Sequence, residues 1–292
     1  MNTFKTTLLL TSLTLLLVMG GMALGGQEGM VMAFIIAMVM NFGAYFFSDK
    51  LALSMYGAQE VSEREFPDVH RIVRDLSRRA EIPMPRIFHI PSEQPNAFAT
   101  GRNPEHASVA FTDGILNILD EREFAGVMAH EIGHIKNRDI LLGTIAATLA
   151  GAISMLANIA QWGMIFGGGR GERNVHPALH LLMIFLAPIA ALLIQMAISR
   201  TREYKADATG AQLMADAAPL ASALRKLEQT AQRVPMHNAE PATAHMFIVS
   251  PLAGVDFASL FSTHPPIEKR VAKLQSLNTE LKRIGGRAHS LV

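Results

Sequence analysis

The sequence predicts a mainly α-helical protein of the α+β class, in which a water-soluble domain with a small β-sheet is joined to two hydrophobic helical hairpins. Three observations support this fold class. Four apolar runs occur in two pairs, short extended segments separated by Pro, Asn and Gly lie between the pairs, and helical patterns fill most of the remainder. Of 292 residues, 50% are hydrophobic and only 17% are charged, which is apolar for a soluble protein of this length.

Charge and cysteine content exclude several functional classes. The formal net charge of +1, without a basic tract interleaved with aromatic residues, gives no argument for nucleic acid as a partner. The chain has no cysteine, so disulfides, cysteine-based zinc sites and thiol nucleophiles are excluded.

Residues 1–47 form the predicted N-terminal transmembrane hairpin. Apolar runs cover 8–24 and 30–47, and a helix needs ~20 apolar residues to cross the hydrocarbon core. A cleaved signal peptide is the alternative for the first run, but a second run after so short a connection favours a hairpin. The connection has no Lys or Arg, whereas several follow the second run, so the positive-inside rule places the next domain in the cytoplasm.

Residues 48–139 form the first half of the predicted soluble domain. Apolar residues at helical spacing predict a helix over 65–80. Short extended segments follow at 86–90, 97–100 and 108–112 and predict a small sheet. An edge strand of such a sheet can bind a peptide by backbone pairing, which suits broad sequence tolerance.

A helix with two histidines and a glutamate is predicted at the end of this half. Asp120 and Glu123 match a capping box, and His130, Glu131 and His134 follow as H-E-x-x-H. Positions i and i+4 share one helix face, so the two histidines can hold one zinc ion while Glu131 acts on a water as general base. The alternative is a chance occurrence of the pattern on an ordinary amphipathic helix.

Residues 199–292 form the second half of the soluble domain, and they offer two further acidic residues. Glu203 and Asp207 are again i and i+4 on a predicted helix, so both carboxylates can face the same metal centre. Glu203 is the predicted third ligand, and Asp207 is predicted to accept the ring N–H of a zinc-bound histidine. The alternative is a solvated helix end, where Glu203 pairs with neighbouring Arg and Lys residues.

Residues 140–198 form the second hydrophobic pair, which is predicted to be transmembrane. Gly143, Ala147 and Gly151 recur every four residues, a small-residue stripe suited to close helix packing in lipid. A buried hairpin in a soluble protein is the alternative. Because ligands before and after the pair must reach one ion, the pair crosses the membrane twice or not at all.

These motifs, with N-A-F-A-T-G at 96–101 and T-H-P-P at 263–266, resemble the HtpX group of membrane-bound heat-shock zinc metalloproteases, relatives of the CAAX prenyl protease. The resemblance covers nearly the whole chain and shows no departure at a catalytic position. It implies a zincin-like catalytic domain with one Zn²⁺ per chain. It also implies that Asn96 contacts substrate or oxyanion and that His264 stabilises the tetrahedral intermediate. A turn residue and a polar helix cap are the respective alternatives.

The function implied by the resemblance is that of an integral, multi-pass zinc endopeptidase of the bacterial plasma (inner) membrane, with its catalytic domain in the cytoplasm. Its expected partners are the lipid bilayer and protein or peptide substrates, chiefly misfolded or damaged membrane proteins under stress. The sequence does not predict an oligomeric state. One alternative is a non-catalytic membrane scaffold with a structural metal, which has no use for Glu131. A second is a peptidase of narrow specificity for lipidated or peptide substrates.

Overall fold

The computed structural model of the chain describes residues 2–145, 200–233, 248 and 265–289. Helices predominate in these residues and one small sheet is present, in agreement with the predicted mainly α, α+β class. The second hydrophobic pair, predicted over 140–198, lies outside the described residues apart from a helical segment at 140–145.

Helix α1 (Asn2–Met55) contains both N-terminal apolar runs and folds back on itself. Its backbone leaves the helical region near Gly26, whose φ of 58° favours glycine. The Asn41 carboxamide donates to Thr14 Oγ1 at 2.8 Å across the two halves of α1. The two apolar runs therefore lie side by side, as expected for a helical hairpin.

The segment Gly25–Met55 is the one helix in the described part of the chain that is long and apolar enough to span a membrane. Its large side chains face outward rather than into a core, as Val39 and Phe42 show with exposed fractions of 66% and 59%. An exposed apolar surface of this extent is typical of a helix that contacts lipid or another apolar partner.

Four strands form a single sheet in the order β1-β2-β4-β3. They are β1 (Gln59–Glu60), β2 (Arg86–Ile90), β3 (Ala97–Gly101) and β4 (Ala107–Thr112). Strands β2 and β4 are parallel, while β1 and β3 are antiparallel to their neighbours, and Ala99 of β3 pairs with Val109 of β4. The three predicted strands are confirmed, β1 was not predicted, and β3 occupies one edge of the sheet.

The two faces of the sheet have different coverings, because alternate side chains of a strand point to opposite faces. Ile87 and Val109 join the main core together with helices α2 (Pro67–Ala80) and α4 (Glu121–Lys136). Phe98 points to the other face, in a cluster that also contains Ala52 and Leu53 from the end of α1. The sheet thus lies between the end of α1 and the helices of the main core. The short helix α3 (Asp113–Ile118) connects β4 to this core.

Three C-terminal helices pack against α4 and complete the core. They are α5 (Arg200–Met214), α6 (Ala218–Arg233) and α7 (Ile267–His289). Leu220 and Leu224 of α6 and Leu274 of α7 are buried in the same cluster as the apolar side of α4. Helix α4 is therefore central to the domain and positions the residues described next.

Candidate active site

Helix α4 begins with a reciprocal cap that fixes its first turn. Asp120 accepts a hydrogen bond from Glu123 N at 2.9 Å, and Glu123 accepts one from Asp120 N at 3.0 Å, so the predicted capping box is confirmed. The buried Glu123 also accepts from Lys226 Nζ at 2.6 Å and Ser222 Oγ at 2.7 Å, both on α6. The start of α4 is thereby joined to α6.

The opposite end of α4 brings both motif histidines onto one face, opposite α5. His130 Nε2 and His134 Nε2 are 3.1 Å apart. The carboxylate of Glu203 on α5 lies 3.7 Å from His130 Nε2 and 3.6 Å from His134 Nε2. Two imidazole nitrogens and a carboxylate therefore converge on one point, as the sequence predicts.

The Nδ1 atom of His130 is held on its outer side by a buried ion pair. Asp207 Oδ1 lies 3.0 Å from His130 Nδ1. The Asp207 carboxylate accepts two hydrogen bonds from Arg270 of α7, from Nε at 2.9 Å and from Nη2 at 2.7 Å. Burial raises the pKa of Asp207, but the fully buried Arg270 and the neighbouring His130 outweigh burial and bring the pKa well below its usual value.

A separate carboxylate holds the ring of His134. Asp139, just beyond the end of α4, lies 2.9 Å from His134 Nδ1. Burial lowers the pKa of His134, but the charges of Asp139, Glu203 and Glu131 more than offset burial and raise this pKa to about 10. The same negative charges favour a cation bound at Nε2.

The arrangement of donors fits a divalent metal ion. When each Nδ1–H is donated to a carboxylate, both Nε2 atoms carry lone pairs. Three acceptors from His130, His134 and Glu203 then face one another, and such an arrangement is unfavourable unless a cation lies between them. The ligand atoms all lie within 4.8 Å of one another. Two imidazoles and one carboxylate are a donor set that zinc accepts while keeping a position open.

Glu131 lies beside this group but faces the sheet edge. Its Oε2 accepts a hydrogen bond from Ala99 N of β3 at 2.8 Å, which fixes the orientation of the carboxylate. Burial raises the pKa of Glu131, and the charge of Glu203 adds to the increase, although the two motif histidines oppose it. A buried carboxylate with increased proton affinity is suited to accept a proton from water at neutral pH.

Two glycines allow α4 and α5 to approach closely enough for this geometry. A Cβ atom on Gly210 would lie 2.9 Å from His130 N, and one on Gly133 would lie 3.0 Å from Ala206 O. Larger residues at either position would separate the helices. The backbone contact therefore sets the distance between the histidines of α4 and the carboxylates of α5.

A comparison with protein families decides the class of this site. The model of the family described as "Peptidase family M48" matches residues 63–278, which include both halves of the metal-binding group. The chain belongs to peptidase family M48. M48 membership makes it a metalloprotease, in agreement with the converging donors at the end of α4.

Curated relatives support the M48 assignment along nearly the whole chain. A "Protease HtpX homolog" of Syntrophobacter fumaroxidans is 54% identical over 278 residues, covering 94% of this chain and 99% of the relative. Homologues with the same description from Persephonella marina and Pyrococcus furiosus are 56% and 55% identical, over 95% of this chain and 98% and 96% of theirs. Together with the apolar segment Gly25–Met55, these relatives characterise a membrane-associated M48 protease.

A solved structure is also similar to this M48 chain. The crystal structure of S. mikatae Ste24p superimposes with a TM-score of 0.49 and 19% sequence identity, covering 90% of this chain and 62% of the Ste24p chain.

The other predicted site residues fall in two groups. Asn96 is buried at the start of β3, and its Oδ1 accepts a hydrogen bond from Ile248 N at 3.2 Å. The Asn96 carboxamide therefore contacts the polypeptide near the site, and its predicted contact with substrate stays a prediction. His264 lies outside the described residues.

Two site residues were not predicted from the sequence. Asp139 follows α4 by three residues, and only its sequence proximity to His134 gives a signal. Arg270 lies on an amphipathic helix, where an arginine is usually at the surface. Its burial depends on packing against α5, which no local pattern in the sequence indicates.

Proposed function

We propose that the chain is an integral membrane zinc endopeptidase that hydrolyses peptide bonds at the cytoplasmic face. Its proposed task is quality control of misfolded or damaged membrane proteins under stress. One observation carries the catalytic part of this proposal. The buried Glu131 carboxylate lies beside three converging ligand atoms but is not one of them, an arrangement that a purely structural metal site does not need.

Zinc is the proposed metal, held by His130, His134 and Glu203. When bound, zinc supplies Lewis acidity, which polarises a peptide carbonyl and lowers the pKa of a water ligand. Asp139 and Asp207 fix the ring orientation of the two histidines through Nδ1, which keeps each Nε2 directed at the metal position.

Glu131 is the proposed general base and acid. It takes a proton from the attacking water and delivers that proton to the leaving amine after the C–N bond breaks. The hydrogen bond from Ala99 N restricts rotation of the carboxylate, so a fixed oxygen faces the reacting groups. We retain Asn96 and His264 as proposed contacts to the substrate or the oxyanion.

Strand β3 is the proposed site for the substrate backbone. It lies at the edge of the sheet, and its Ala99 N–H points outward to the catalytic carboxylate. A substrate added as a further strand along this edge would bring its backbone to Glu131. Backbone pairing supplies affinity without selecting side chains, as quality control requires.

The membrane arrangement is proposed from charge and apolar length. The N-terminal hairpin and the pair at 140–198 would each cross the bilayer twice. Lys50 and the arginines after it place the catalytic domain in the cytoplasm by the positive-inside rule. Reporter fusions after Lys50 and after Val292 should report the same side of the membrane, and a reporter within 167–177 should report the opposite side.

The catalytic proposal is tested with Glu131→Gln in the purified, zinc-loaded protein. The variant should keep one zinc per chain and lose at least ~10²-fold of its rate on a denatured protein, because the ligands remain while the base is lost. Glu121→Gln, at an exposed position on the same helix, is the matched control and should keep full activity. Normal turnover by Glu131→Gln would contradict the assignment.

A further inference from the structure

Strand β3 runs beside the end of α1, on the sheet face opposite α4. The ring centroids of Phe98 and Tyr56 are 5.3 Å apart, and the guanidinium carbon of Arg102 lies 5.4 Å from the ring centroid of Phe46. Ten residues of helix separate the two α1 contacts, about 15 Å of rise. Four residues separate the two β3 contacts, about 13 Å of strand. The two lengths agree, so β3 extends along α1 toward its apolar part.

The apolar part of α1 ends at the level that Arg102 contacts. The run at 30–47 has a helical length of about 27 Å, close to the ~30 Å thickness of a hydrocarbon core. At its end, the Lys50 ammonium lies 5.8 Å from the ring centroid of Phe47, next to the pair formed by Arg102 and Phe46. Aromatic rings beside cationic groups are typical of the bilayer interface.

The catalytic carboxylate is bound to this same strand. Ala99, which donates to Glu131, precedes Arg102 by three residues, or about 10 Å of extended chain. The next residue, Thr100, forms a hydrogen bond of 3.0 Å through Oγ1 with Thr144 Oγ1, at the start of the second hydrophobic pair. The edge strand is thus attached to both segments that lead into the membrane.

We propose that this attachment holds the catalytic centre about 10 Å from the bilayer surface. The substrate class is then the juxtamembrane segment of an integral membrane protein, cut at a fixed distance from the point where it leaves the bilayer. The inference rests on the proposed function, with α1 spanning the membrane and Glu131 as general base.

The physical reason is geometric. An extended chain that leaves the bilayer covers about 10 Å in three residues, so it reaches the edge of β3 almost at once. Strand addition along β3 aligns the substrate with α1, because β3 itself runs along that helix. A peptide bond further from the membrane must loop back to reach Glu131, which costs chain entropy. Distance from the membrane, rather than side-chain identity, therefore selects the scissile bond.

The experiment uses the full-length, zinc-loaded protein in lipid vesicles with single-span substrates. Each substrate carries one transmembrane helix followed by an unstructured segment of repeated, uniform sequence, and cut sites are mapped by mass spectrometry. The cuts should cluster about three to six residues from the membrane exit. Inserting six further residues directly after the helix should leave this distance unchanged and move the cut to a different point in the original sequence.

Two outcomes separate failure of this inference from failure of the proposed function. Cuts spread evenly along the repeat, or a cut that keeps its position in the original sequence after the insertion, would overturn the fixed distance. A denatured soluble protein in detergent is included in parallel. If neither it nor the membrane substrates are hydrolysed, the proposed peptidase function fails. The Glu131→Gln protein shows which cuts come from this site.

Discussion

The two ends of helix α4 both bury charged groups, but they arrange them differently. At the first turn, Glu123 is surrounded by donors from Lys226, Ser222 and the Asp120 backbone. At the last turns, His130 and His134 face Glu203, and the acceptor atoms point at one another. The first arrangement is electrostatically complete within the protein, whereas the second needs a cation. Buried charge alone therefore does not identify a site, but buried acceptors that converge do.

Removing the arginine that supports the metal end should have the largest effect. Arg270→Met leaves the Asp207 carboxylate buried without its bidentate partner, and loss of one member of a buried ion pair costs about 3–5 kcal/mol of unfolding free energy. Chemical denaturation in detergent measures this loss. Arg270→Lys, which keeps the charge but not the bidentate geometry, should fall between the variant and the parent. A loss below that of a surface substitution would contradict the role of Arg270.

The Asp139→Asn variant tests the local support of His134. Zinc affinity should fall about 10–100-fold, because the ring loses the carboxylate that orients it. In the parent protein the raised pKa of His134, about 10, means that zinc displaces a proton at pH 7, so affinity rises with pH. The variant lowers this pKa, so fewer protons should be released at pH 7. Calorimetry in buffers of different ionisation enthalpy counts them, and unchanged proton release would contradict this account.

The close contact between α4 and α5 is tested with Gly210→Ala. The added Cβ meets His130 N at 2.9 Å, so the helices must separate at a cost of about 1–3 kcal/mol. Zinc affinity should fall together with stability, since the donors move apart. Gly143→Ala is the matched control, because a Cβ there meets nothing within 4 Å. Equal effects of the two substitutions would show that helix separation is not the cause.

The smallest effect is expected at the first turn of α4. Burial raises the pKa of Glu123, but hydrogen bonds from Lys226 and Ser222 outweigh burial and lower it. A lowered pKa in the folded state adds stability above the ordinary value of 4.5, and this stability is lost as pH falls through the folded-state pKa. Lys226→Met should remove up to about 1 kcal/mol at pH 7, because the lysine is partly exposed.

Zinc content and activity per folded molecule should stay unchanged in Lys226→Met, in contrast to the variants at the metal end. The difference in stability between the variant and the parent should shrink as the pH falls below 4.5. Metal analysis and denaturation at several pH values test both statements. Loss of zinc from Lys226→Met would remove the distinction between the two ends of α4.

Much of the site was predictable because its signals are local in the sequence. The capping box, the H-E-x-x-H spacing and the pair Glu203 and Asp207 each lie within one helix, where periodicity fixes the shared face. Asp139 was missed because it lies beyond the helix, and it reaches His134 only through the left-handed conformation of Arg138, with φ of 56°. Arg270 was missed because its partner Asp207 is 63 residues away, and only the packed core brings them together.

The fold shows the same division between local and distant information. Extended segments between Pro, Asn and Gly predicted three strands, whereas the order β1-β2-β4-β3 depends on a parallel pairing that no local signal encodes. The two-residue β1 is too short to leave a pattern. Hydrophobic length predicted the N-terminal hairpin, but not the polar contact between its helices.

That polar contact bears on how the N-terminal hairpin enters a bilayer. Asn41 donates to Thr14 Oγ1 at 2.8 Å and to Leu10 O at 3.4 Å, so the first helix supplies both acceptors. A signal peptidase cut near Gly25 would strip these acceptors and leave the carboxamide facing hydrocarbon, a loss of about 1–2 kcal/mol. During biosynthesis the first helix therefore acts as a retained companion that makes insertion of the second more favourable.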